Sequence, residues 1–264
     1  MSLQHFYLEE QVLAHEQESV FSLRLQPDDL KHLKVLRVHP GEHIAVVDAA
    51  QDYFECCVEA FDGSSLQVSI SQHREAARKG PRVMLLQGLA KGDKMETVIR
   101  HATELGVSEF VPVACSRSVL KLDAKKEPKK IERWRAIAKS AAMQSGQPAV
   151  PRVQGVASVS EAAQLAADAL AVCVCWEEAP QSTTMRQAVQ NGLAQAGEAA
   201  ADGFVAVVVG PEGGLSENEV QAFLSANPAA RLVSLGPSIL RTETAGIVAP
   251  ALALYELGGL GGAQ

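Results

Sequence analysis

The sequence predicts an α/β fold with a mainly parallel sheet, because segments typical of buried strands alternate with segments typical of helices. Short apolar runs of strand length occur at residues 82–89, 169–176 and 205–209. Each run is followed by a polar or glycine-containing loop and then by a segment of helical character. Parallel neighbours need a crossover connection, which is usually a helix, so this alternation indicates a parallel sheet covered on both faces.

The N-terminal part predicts a separate small β-domain. Residues 43–48, 53–60 and 65–71 are rich in Val, Ile and aromatic residues and are separated by turn sequences. This spacing is typical of a small barrel or sandwich. A short helix is predicted from Pro27, and a polar segment at residues 73–79 is predicted as a linker. We therefore expect one domain at residues 1–72 and a second at 80–264.

The elements of the second domain follow from residue 82 in order. An amphipathic helix at 95–105 ends at Gly106, which is typical of a helix C-terminus, and a strand at 109–115 follows. A helix is predicted at 131–145, with Trp134 as its apolar anchor, and another at 185–195. The loop at 90–94 lacks the GxxxxGK[ST] arrangement, which excludes a nucleoside triphosphate P-loop.

Two glycine-containing loops lie close together near the C-terminal end. The first follows the strand at 205–209, and Ser216 and Glu219 then form a capping-box pattern before a helix at 217–224. The second follows a strand predicted at 231–235 and precedes a helix predicted at 244–257. A single loop of this kind is more often only a turn. Two of them at the carboxyl ends of strands favour a ligand site.

Composition is that of a globular protein with a locally basic segment. The 264 residues are 47% hydrophobic and 21% charged, with a net charge of −7. Residues 80–147 nevertheless contain 13 Lys and Arg against 7 Asp and Glu. Such a segment can bind a polyanion despite the total charge, although a solvated helix face is an equal alternative.

Several classes of protein are disfavoured by the sequence. Five cysteines without a CxxC pair predict reduced thiols and no zinc site, and we expect no metal. The N-terminus lacks a secretory signal, and no apolar stretch is long enough to span a bilayer, so a cytoplasmic protein is expected. The absence of an early GxGxxG argues against a dinucleotide-dependent dehydrogenase.

Four segments carry a resemblance to a known family. GPEGGLSENE at 210–219 and LGPSILRTETA at 235–245 resemble the two signature loops of the RsmE family. LKHLKVLRVHPGE at 30–42 and KGDKMETVIRHATELGVSEFVPV at 91–113 resemble the N-terminal signature and first βαβ unit of that family. Its members belong to the SPOUT class and methylate N3 of a uridine in small-subunit (16S) ribosomal RNA.

The resemblance implies a fold, a cofactor and partners. It implies a SPOUT-type trefoil-knotted α/β domain at 80–264, preceded by a PUA-like β-barrel RNA-binding domain at 1–72. It further implies S-adenosyl-L-methionine (AdoMet) as cofactor, 16S ribosomal RNA within the small ribosomal subunit as partner, and a homodimer. The knot is not predicted by periodicity or composition, and general topology rules disfavour one.

The resemblance also implies the site residues. Arg241 is expected to orient the uracil or a phosphate, and Glu212 or Glu243 to accept the N3 proton. The alternatives are that Glu212 caps a helix, that Glu243 pairs with Arg241, or that water takes the proton. The residues expected at the cofactor are Trp176, Gly210, Pro211, Glu212, Gly213, Gly214, Leu235, Gly236, Ile239, Leu240, Thr242 and Ala245. Those expected at RNA are Lys31, Lys34, Arg37, Lys91, Lys94, Arg117, Lys121 and Arg241.

Two positions depart from the family pattern. Gln4-His5 stands where members usually carry Arg near the N-terminus, and Gln147 ends a motif that normally ends in Arg. Gln lacks the forked cation of Arg, so RNA contacts at both positions are in question. A non-catalytic RNA-binding or ribosome-assembly protein that retains the fold is the alternative function.

Overall fold

The computed structural model describes residues 3–74, 82–122, 125–179 and 183–260, and the chain divides into two compact units. The first unit comprises residues 1–78 and 142–150, and the second comprises 79–141 and 151–264. Residues 142–150, expected in the second domain, thus belong to the first unit. The reason is local packing, because Ala142 packs with Tyr7 and Val47, and the Tyr7 hydroxyl donates a 2.6 Å hydrogen bond to the Gln147 carbonyl.

The first unit is built on a five-stranded sheet and, among its described residues, one complete α-helix. Its sheet has the order β1-β3-β4-β5-β2; β1 is parallel to β3, and the other neighbours are antiparallel. Phe6, Phe54 and Leu66 are fully buried between the sheet and the rest of the unit. The elements are β1 Gln4–Tyr7, β2 Phe21–Leu23, α1 Pro27–Leu36, β3 His43–Val47, β4 Tyr53–Phe61 and β5 Leu66–Arg74.

The second unit contains a sheet in which every described pair of neighbours is parallel. The strand order is β12-β10-β11-β6-β7-β8, with β9 also paired to β7. The predicted mainly parallel sheet is therefore confirmed. The strands are β6 Arg82–Gly88, β7 Glu109–Ala114, β8 Arg152–Val153, β9 Ala157–Ser158, β10 Ala171–Cys175, β11 Phe204–Val209 and β12 Ala230–Val233.

Helices cover both faces of this sheet, as strands buried on two sides require. Along β11, Val205 and Val207 face one apolar cluster, and Ala206 and Val208 face the other. Trp134 of α3 is buried in the first of these clusters, which confirms its predicted role as an anchor. The helices are α2 Lys94–Leu105, α3 Glu127–Ser145, α4 Val159–Leu165, α5 Met185–Ala196, α6 Glu217–Ala226 and α7 Thr242–Glu256.

Several element ends depart from the predictions by a few residues. The strand predicted at 231–235 ends at Val233, since the Ser234 hydroxyl accepts a 3.2 Å hydrogen bond from the Gly236 amide and turns the chain. Helix α7 begins at Thr242 rather than at 244, and α3 begins at Glu127 rather than at 131. In the predicted linker, residues 73 and 74 belong to β5, and residues 75–79 lie outside the described residues.

Further sequence predictions concern Gly106, the cysteines and membrane-spanning segments. Gly106 ends α2 with φ at 105°, a conformation that favours glycine, as predicted. All five cysteines are free. Within the part of the chain that the structure describes, no helix has the length and apolar character needed to cross a membrane.

Candidate functional site

A cavity of about 450 Å³ opens at the carboxyl ends of β10, β11 and β12. Its volume falls within the range of about 300–1,000 Å³ that is usual for small-molecule sites. The position follows from the sheet order, because three parallel strands end side by side and expose their loops at one edge. The walls come from residues 175–177, 209–212, 214–215, 233–242 and 245, together with Lys94.

The first wall is the glycine turn, defined as residues 210–214. Gly214 has φ at +70°, and its amide donates a 2.9 Å hydrogen bond to the carbonyl of Pro211. A Cβ on Gly214 would lie 2.6 Å from Oε1 of Glu177, so a side chain is excluded by both conformation and space. The backbone at Gly214 therefore lines the cavity without a side chain.

The second wall is the loop at residues 234–241, which leads into α7. Ile239 is 90% exposed although it is apolar, and Leu240 is partly buried against the core of the unit. Arg241 precedes α7 and is exposed. Among the described residues, none forms a salt bridge with Arg241, so its guanidinium is available to an anion or a carbonyl.

A buried polar network joins the two walls. The Gln87 side-chain amide at the end of β6 donates a 2.9 Å hydrogen bond to Oγ1 of Thr242, which donates a 2.6 Å bond to the carbonyl of Gly210. Gln87 and Thr242 are both buried. The network therefore holds β6, the glycine turn and the first turn of α7 in register.

Lys94 forms the centre of an ion cluster beside the cavity. Its Nζ lies 3.2 Å from Oε1 of Glu212 and 3.2 Å from Oε2 of Glu243. Oε1 of Glu212 also accepts a 3.1 Å hydrogen bond from the Lys91 amide. Glu243 thus forms its ion pair with Lys94, and no ion pair between Glu243 and Arg241 is found among the described residues.

The pKa values of the two carboxyl groups are held below their usual range. For Glu212, burial works in the opposite direction, but backbone hydrogen bonds from its own turn and from Lys91, with Lys94, give a lower pKa overall. For Glu243, burial is again outweighed by backbone hydrogen bonds and by Lys94, so its pKa also falls. Burial raises the pKa of the Cys175 thiol, so this cavity-lining group stays neutral.

A third loop, at residues 115–118, supports the glycine turn from outside. Nη1 of Arg117 donates hydrogen bonds of 3.2 Å to the carbonyls of Gly213 and Leu215. The Glu219 carboxylate accepts hydrogen bonds from the amides of Ser116, at 2.6 Å, and Ser216, at 2.8 Å. Glu219 therefore closes the predicted capping box of α6 and also ties that helix to the loop after β7.

Eleven of the twelve residues predicted at the cofactor line this one cavity. The exception is Gly213, where an added Cβ would lie 2.8 Å from Cβ of Arg117. Arg241 and Glu212 also line the cavity, and Glu243 reaches it through Lys94. The predicted cofactor residues that line the cavity are Trp176, Gly210, Pro211, Glu212, Gly214, Leu235, Gly236, Ile239, Leu240, Thr242 and Ala245.

The residues predicted at RNA differ in their surroundings. In the first unit, Lys31, Lys34 and Arg37 are exposed on or directly after α1, and Lys31 pairs with Asp28 at 2.8 Å. In the second unit, Lys91 and Lys121 are exposed. Arg117 and Lys94 instead make the contacts described above, with carbonyl oxygens and with carboxylates.

Sequence reasoning missed several lining or supporting groups, among them Gln87 and Cys175. The signal for Gln87 was present, because it is the single polar residue at 83–89 and stands directly before a glycine. A buried amide at a strand end needs partners, which marks a place where loops converge. For Cys175 the apolar run gave no chemical signal. Among the described residues, no group of three or more His, Cys, Asp or Glu side chains is arranged to hold a metal ion.

Comparison with known proteins gives one consistent family. Residues 78–254 match the model of the RNA methyltransferase domain. The chain is 34% identical over 260 residues to the ribosomal RNA small subunit methyltransferase E of Bacillus subtilis, covering 96% of this chain and 97% of that one. The protein of the same name from Mycobacterium bovis is 34% identical over 219 residues, covering 81% and 79% of the two chains.

Solved structures agree with this result. A ribosomal RNA small subunit methyltransferase E from Neisseria gonorrhoeae bound to S-adenosyl methionine is 26% identical, with a TM-score of 0.76 over 96% of this chain and 98% of that one. A putative methyltransferase from Legionella pneumophila, in complex with the bound cofactor SAM, has a TM-score of 0.74 and 25% identity, over 97% and 98%.

Proposed function

Because the chain belongs to the RNA methyltransferases and, among them, to the ribosomal RNA small subunit methyltransferase E family, we propose that it methylates N3 of a uridine in 16S ribosomal RNA with AdoMet as donor. One observation carries the proposal. Two loops with glycine at their turns, predicted from the sequence as a cofactor site, form a single cavity at the carboxyl ends of parallel strands.

Several finer features are part of the same proposal. The second unit is a trefoil-knotted SPOUT domain, and the first is a PUA-like RNA-binding barrel. The protein works as a homodimer in the cytoplasm on 16S RNA within the small ribosomal subunit. Support for the dimer comes from Ile239, Leu252 and Tyr255, which expose apolar surface on and beside α7.

The cavity residues suit AdoMet by their chemistry. Backbone amides and carbonyls of the glycine turn and of residues 235–240 match the polar edges of adenine and ribose, and Leu215 and Leu240 supply apolar contact to a ring. Trp176 offers a further flat apolar surface. Glu212 keeps a negative charge near a cationic ligand. When bound, AdoMet supplies an electrophilic methyl group on a positively charged sulfur.

Arg241 has the central role on the substrate side. N3 of uridine must lose its proton before its electron pair can form a bond to the methyl carbon, while the electrons of the breaking S–C bond return to sulfur. A cation beside the uracil carbonyls favours the deprotonated imide. Arg241 lines the cavity, is exposed and has no carboxylate partner among the described residues, so it fits this role.

The fate of the N3 proton follows from the ion cluster. Glu212 and Glu243 were the predicted proton acceptors, but both have a lowered pKa beside Lys94 and are weak bases. Cys175 is a neutral thiol. We therefore favour loss of the proton to water, with Arg241 stabilising the uracil anion, and keep the two glutamates as positioning groups.

RNA contacts complete the proposal. In the second unit, Lys91 and Lys121 are exposed cations that can neutralise phosphate, and Arg117 keeps donor capacity beyond its two carbonyl bonds. In the first unit, Lys31, Lys34 and Arg37 form an exposed basic group on and directly after α1. Gln4 and Gln147 cannot supply the charge that Arg has at these positions in the family.

Two measurements test the proposed function together. Calorimetry with AdoMet should show saturable binding to the purified protein, and label from methyl-labelled AdoMet should enter small ribosomal subunits. Large subunits serve as the control substrate and should remain unlabelled. Binding without transfer to small subunits would favour the non-catalytic RNA-binding alternative, and absence of AdoMet binding would overturn the proposal.

A further inference from the structure

Lys94 occupies a helix position at which a lysine is energetically unfavourable. It is the first residue of α2, where the helix dipole places partial positive charge, and a cation there is destabilising. Asp93, directly before it, makes no capping hydrogen bond with its side chain. Residues that break a local rule of this kind are expected where another requirement decides.

The other requirement is visible in the contacts of Lys94. Glu212 belongs to the glycine turn, Glu243 belongs to the first turn of α7, and both carboxylates lie 3.2 Å from the same ammonium group. Each of these segments supplies a different part of the cavity wall. A single cation therefore joins the start of α2 to both walls.

The cluster is largely withdrawn from water. The side chains of Lys94, Glu212 and Glu243 are 22%, 20% and 22% exposed. Coulomb interactions strengthen as water is excluded, and removal of one partner leaves the others without compensation. Arg241 also attracts the Glu243 carboxylate, but no salt bridge joins the two among the described residues. Without Lys94, two carboxylates would therefore face one another across the cavity edge.

We propose that Lys94 is a positioning residue that sets the width of the cavity by joining Glu212 of the glycine turn to Glu243 of α7. The inference rests on the proposed function for the identity of the ligand, and it reassigns Lys94 from the phosphate contact expected from the sequence. Lys94 acts through the two glutamates and does not need to touch AdoMet or RNA itself.

The test compares K94M with the wild-type protein by calorimetric titration with AdoMet at pH 8 and pH 5.5. Met keeps most of the length of Lys but removes its charge. We expect K94M to bind AdoMet about tenfold more weakly at pH 8, because the two carboxylates repel and the walls separate. At pH 5.5 the difference should narrow to about threefold, because like-charged carboxylates in contact take up a shared proton.

Two variants serve as controls. K94R retains a cation and should bind AdoMet within about threefold of the wild-type protein. K129M removes a lysine charge from the exposed side of α3, away from the cavity lining, and should leave AdoMet affinity unchanged at both pH values. A general effect of lost charge would lower the AdoMet affinity of K129M as well, whereas the proposed role of Lys94 predicts a lower affinity only for K94M.

Ligand-free melting curves separate this inference from the proposed function. K94M without ligand should melt at a lower temperature than the wild-type protein at pH 8, and the gap should shrink at pH 5.5. If the wild-type protein bound no AdoMet, the proposed function would fail, while the melting curves would still decide the role of Lys94. Equal melting temperatures of K94M and wild type at both pH values, or equal AdoMet affinity, would overturn the inference.

A further variant covers the case in which K94M does not fold. E243Q leaves the pair of Lys94 and Glu212 intact but releases α7 from the cation. AdoMet affinity should fall by about threefold, with no recovery at pH 5.5, because only one carboxylate remains. Unchanged AdoMet affinity in E243Q would contradict the proposal that Lys94 links the glycine turn to α7 through both glutamates.

Discussion

Thr242 Oγ1 donates a 2.6 Å hydrogen bond to the carbonyl oxygen of Gly210, which joins the first turn of α7 directly to the glycine turn. The same hydroxyl accepts a 2.9 Å bond from the side-chain amide of Gln87. One threonine thus satisfies a buried amide and a backbone carbonyl at once. The two walls of the cavity are held by this bond on the inside and by Lys94 at the edge.

Substitution of Thr242 by Val should destabilise the protein. Val has nearly the same shape, but it takes the closest acceptor from the Gln87 amide, which keeps a longer 3.2 Å bond to the Gly88 carbonyl, and it removes the donor to the Gly210 carbonyl. An unsatisfied buried polar group costs about 1–3 kcal/mol, so we expect the free energy of unfolding to fall by that amount in urea denaturation. T97V is the matched control, since Oγ1 of Thr97 makes only a local 3.2 Å bond to the Asp93 carbonyl on the surface. Equal loss in both variants would contradict a special role for Thr242.

Substitution of Gly214 by Ala should close the site to its ligand. The residue has φ at +70°, and a methyl group would lie 2.6 Å from Glu177 Oε1. Strain of about 1–2 kcal/mol is expected from the conformation alone, and the turn must shift to relieve it. We expect G214A to lose measurable AdoMet binding in calorimetry. G155A, whose added methyl group would meet only Glu127 Oε1 at 3.7 Å, should bind as well as the wild-type protein.

Replacement of Arg241 by Ala should separate cofactor binding from turnover. AdoMet affinity should stay within about threefold, because backbone groups and apolar side chains hold the cofactor. Methyl transfer should fall by about 10²–10³-fold, the usual loss when a group that stabilises developing charge is removed. Single-turnover assays with labelled AdoMet and small subunits measure the second effect. Unchanged turnover in R241A would remove this residue from the mechanism.

Stability at acid pH should depend on Glu219. Burial opposes its ionisation, but bonds from the amides of Ser216 and Ser116, and from their side chains, outweigh burial, so its pKa lies below the ordinary 4.5. A lowered pKa in the folded state contributes stability above about pH 4.5 and loses it as pH falls through the folded pKa. E219Q should therefore be less stable than wild type by about 1 kcal/mol at pH 7, with a gap that closes in acid.

The control for this pH effect is E217Q. Glu217 lies in the same first turn of α6 and is exposed, so its charge interacts with the helix dipole but closes no backbone bond to another loop. Only a few tenths of a kcal/mol are expected from its loss. Urea denaturation of both variants at pH 7 and in acid gives the comparison. A gap for E219Q that widened as pH fell would have the wrong sign for the role given to Glu219.

Much of the second unit was predictable because local signals agreed. The apolar run at 205–209 and the Ser216–Glu219 capping box gave a strand, a turn and a helix start that the structure confirms. The residues that line the cavity were equally predictable from the sequence, since loops at the ends of parallel strands meet at one edge of the sheet. The error at the end of β12 arose because Leu235 looks like a strand residue, whereas Ser234 turns the chain one residue earlier.

Contacts between distant segments were not predictable. Lys94 and Glu243 are 149 positions apart, and their pairing depends on how α2 and α7 pack against each other. A lysine in a glycine-containing loop was therefore interpreted as a phosphate contact. The place of residues 142–150 in the first unit is a similar case, because the Tyr7–Gln147 hydrogen bond has no local sequence signal.

The most direct test of the central claim is the chemical position of the transferred methyl group. Small subunits from a strain that lacks this protein would be incubated with the purified protein and labelled AdoMet, and the RNA analysed by mass spectrometry of nuclease fragments and nucleosides. We predict one labelled nucleoside in 16S RNA, N3-methyluridine, which forms far more slowly with R241A. Label on another atom or another RNA, or no label at all, would contradict the account.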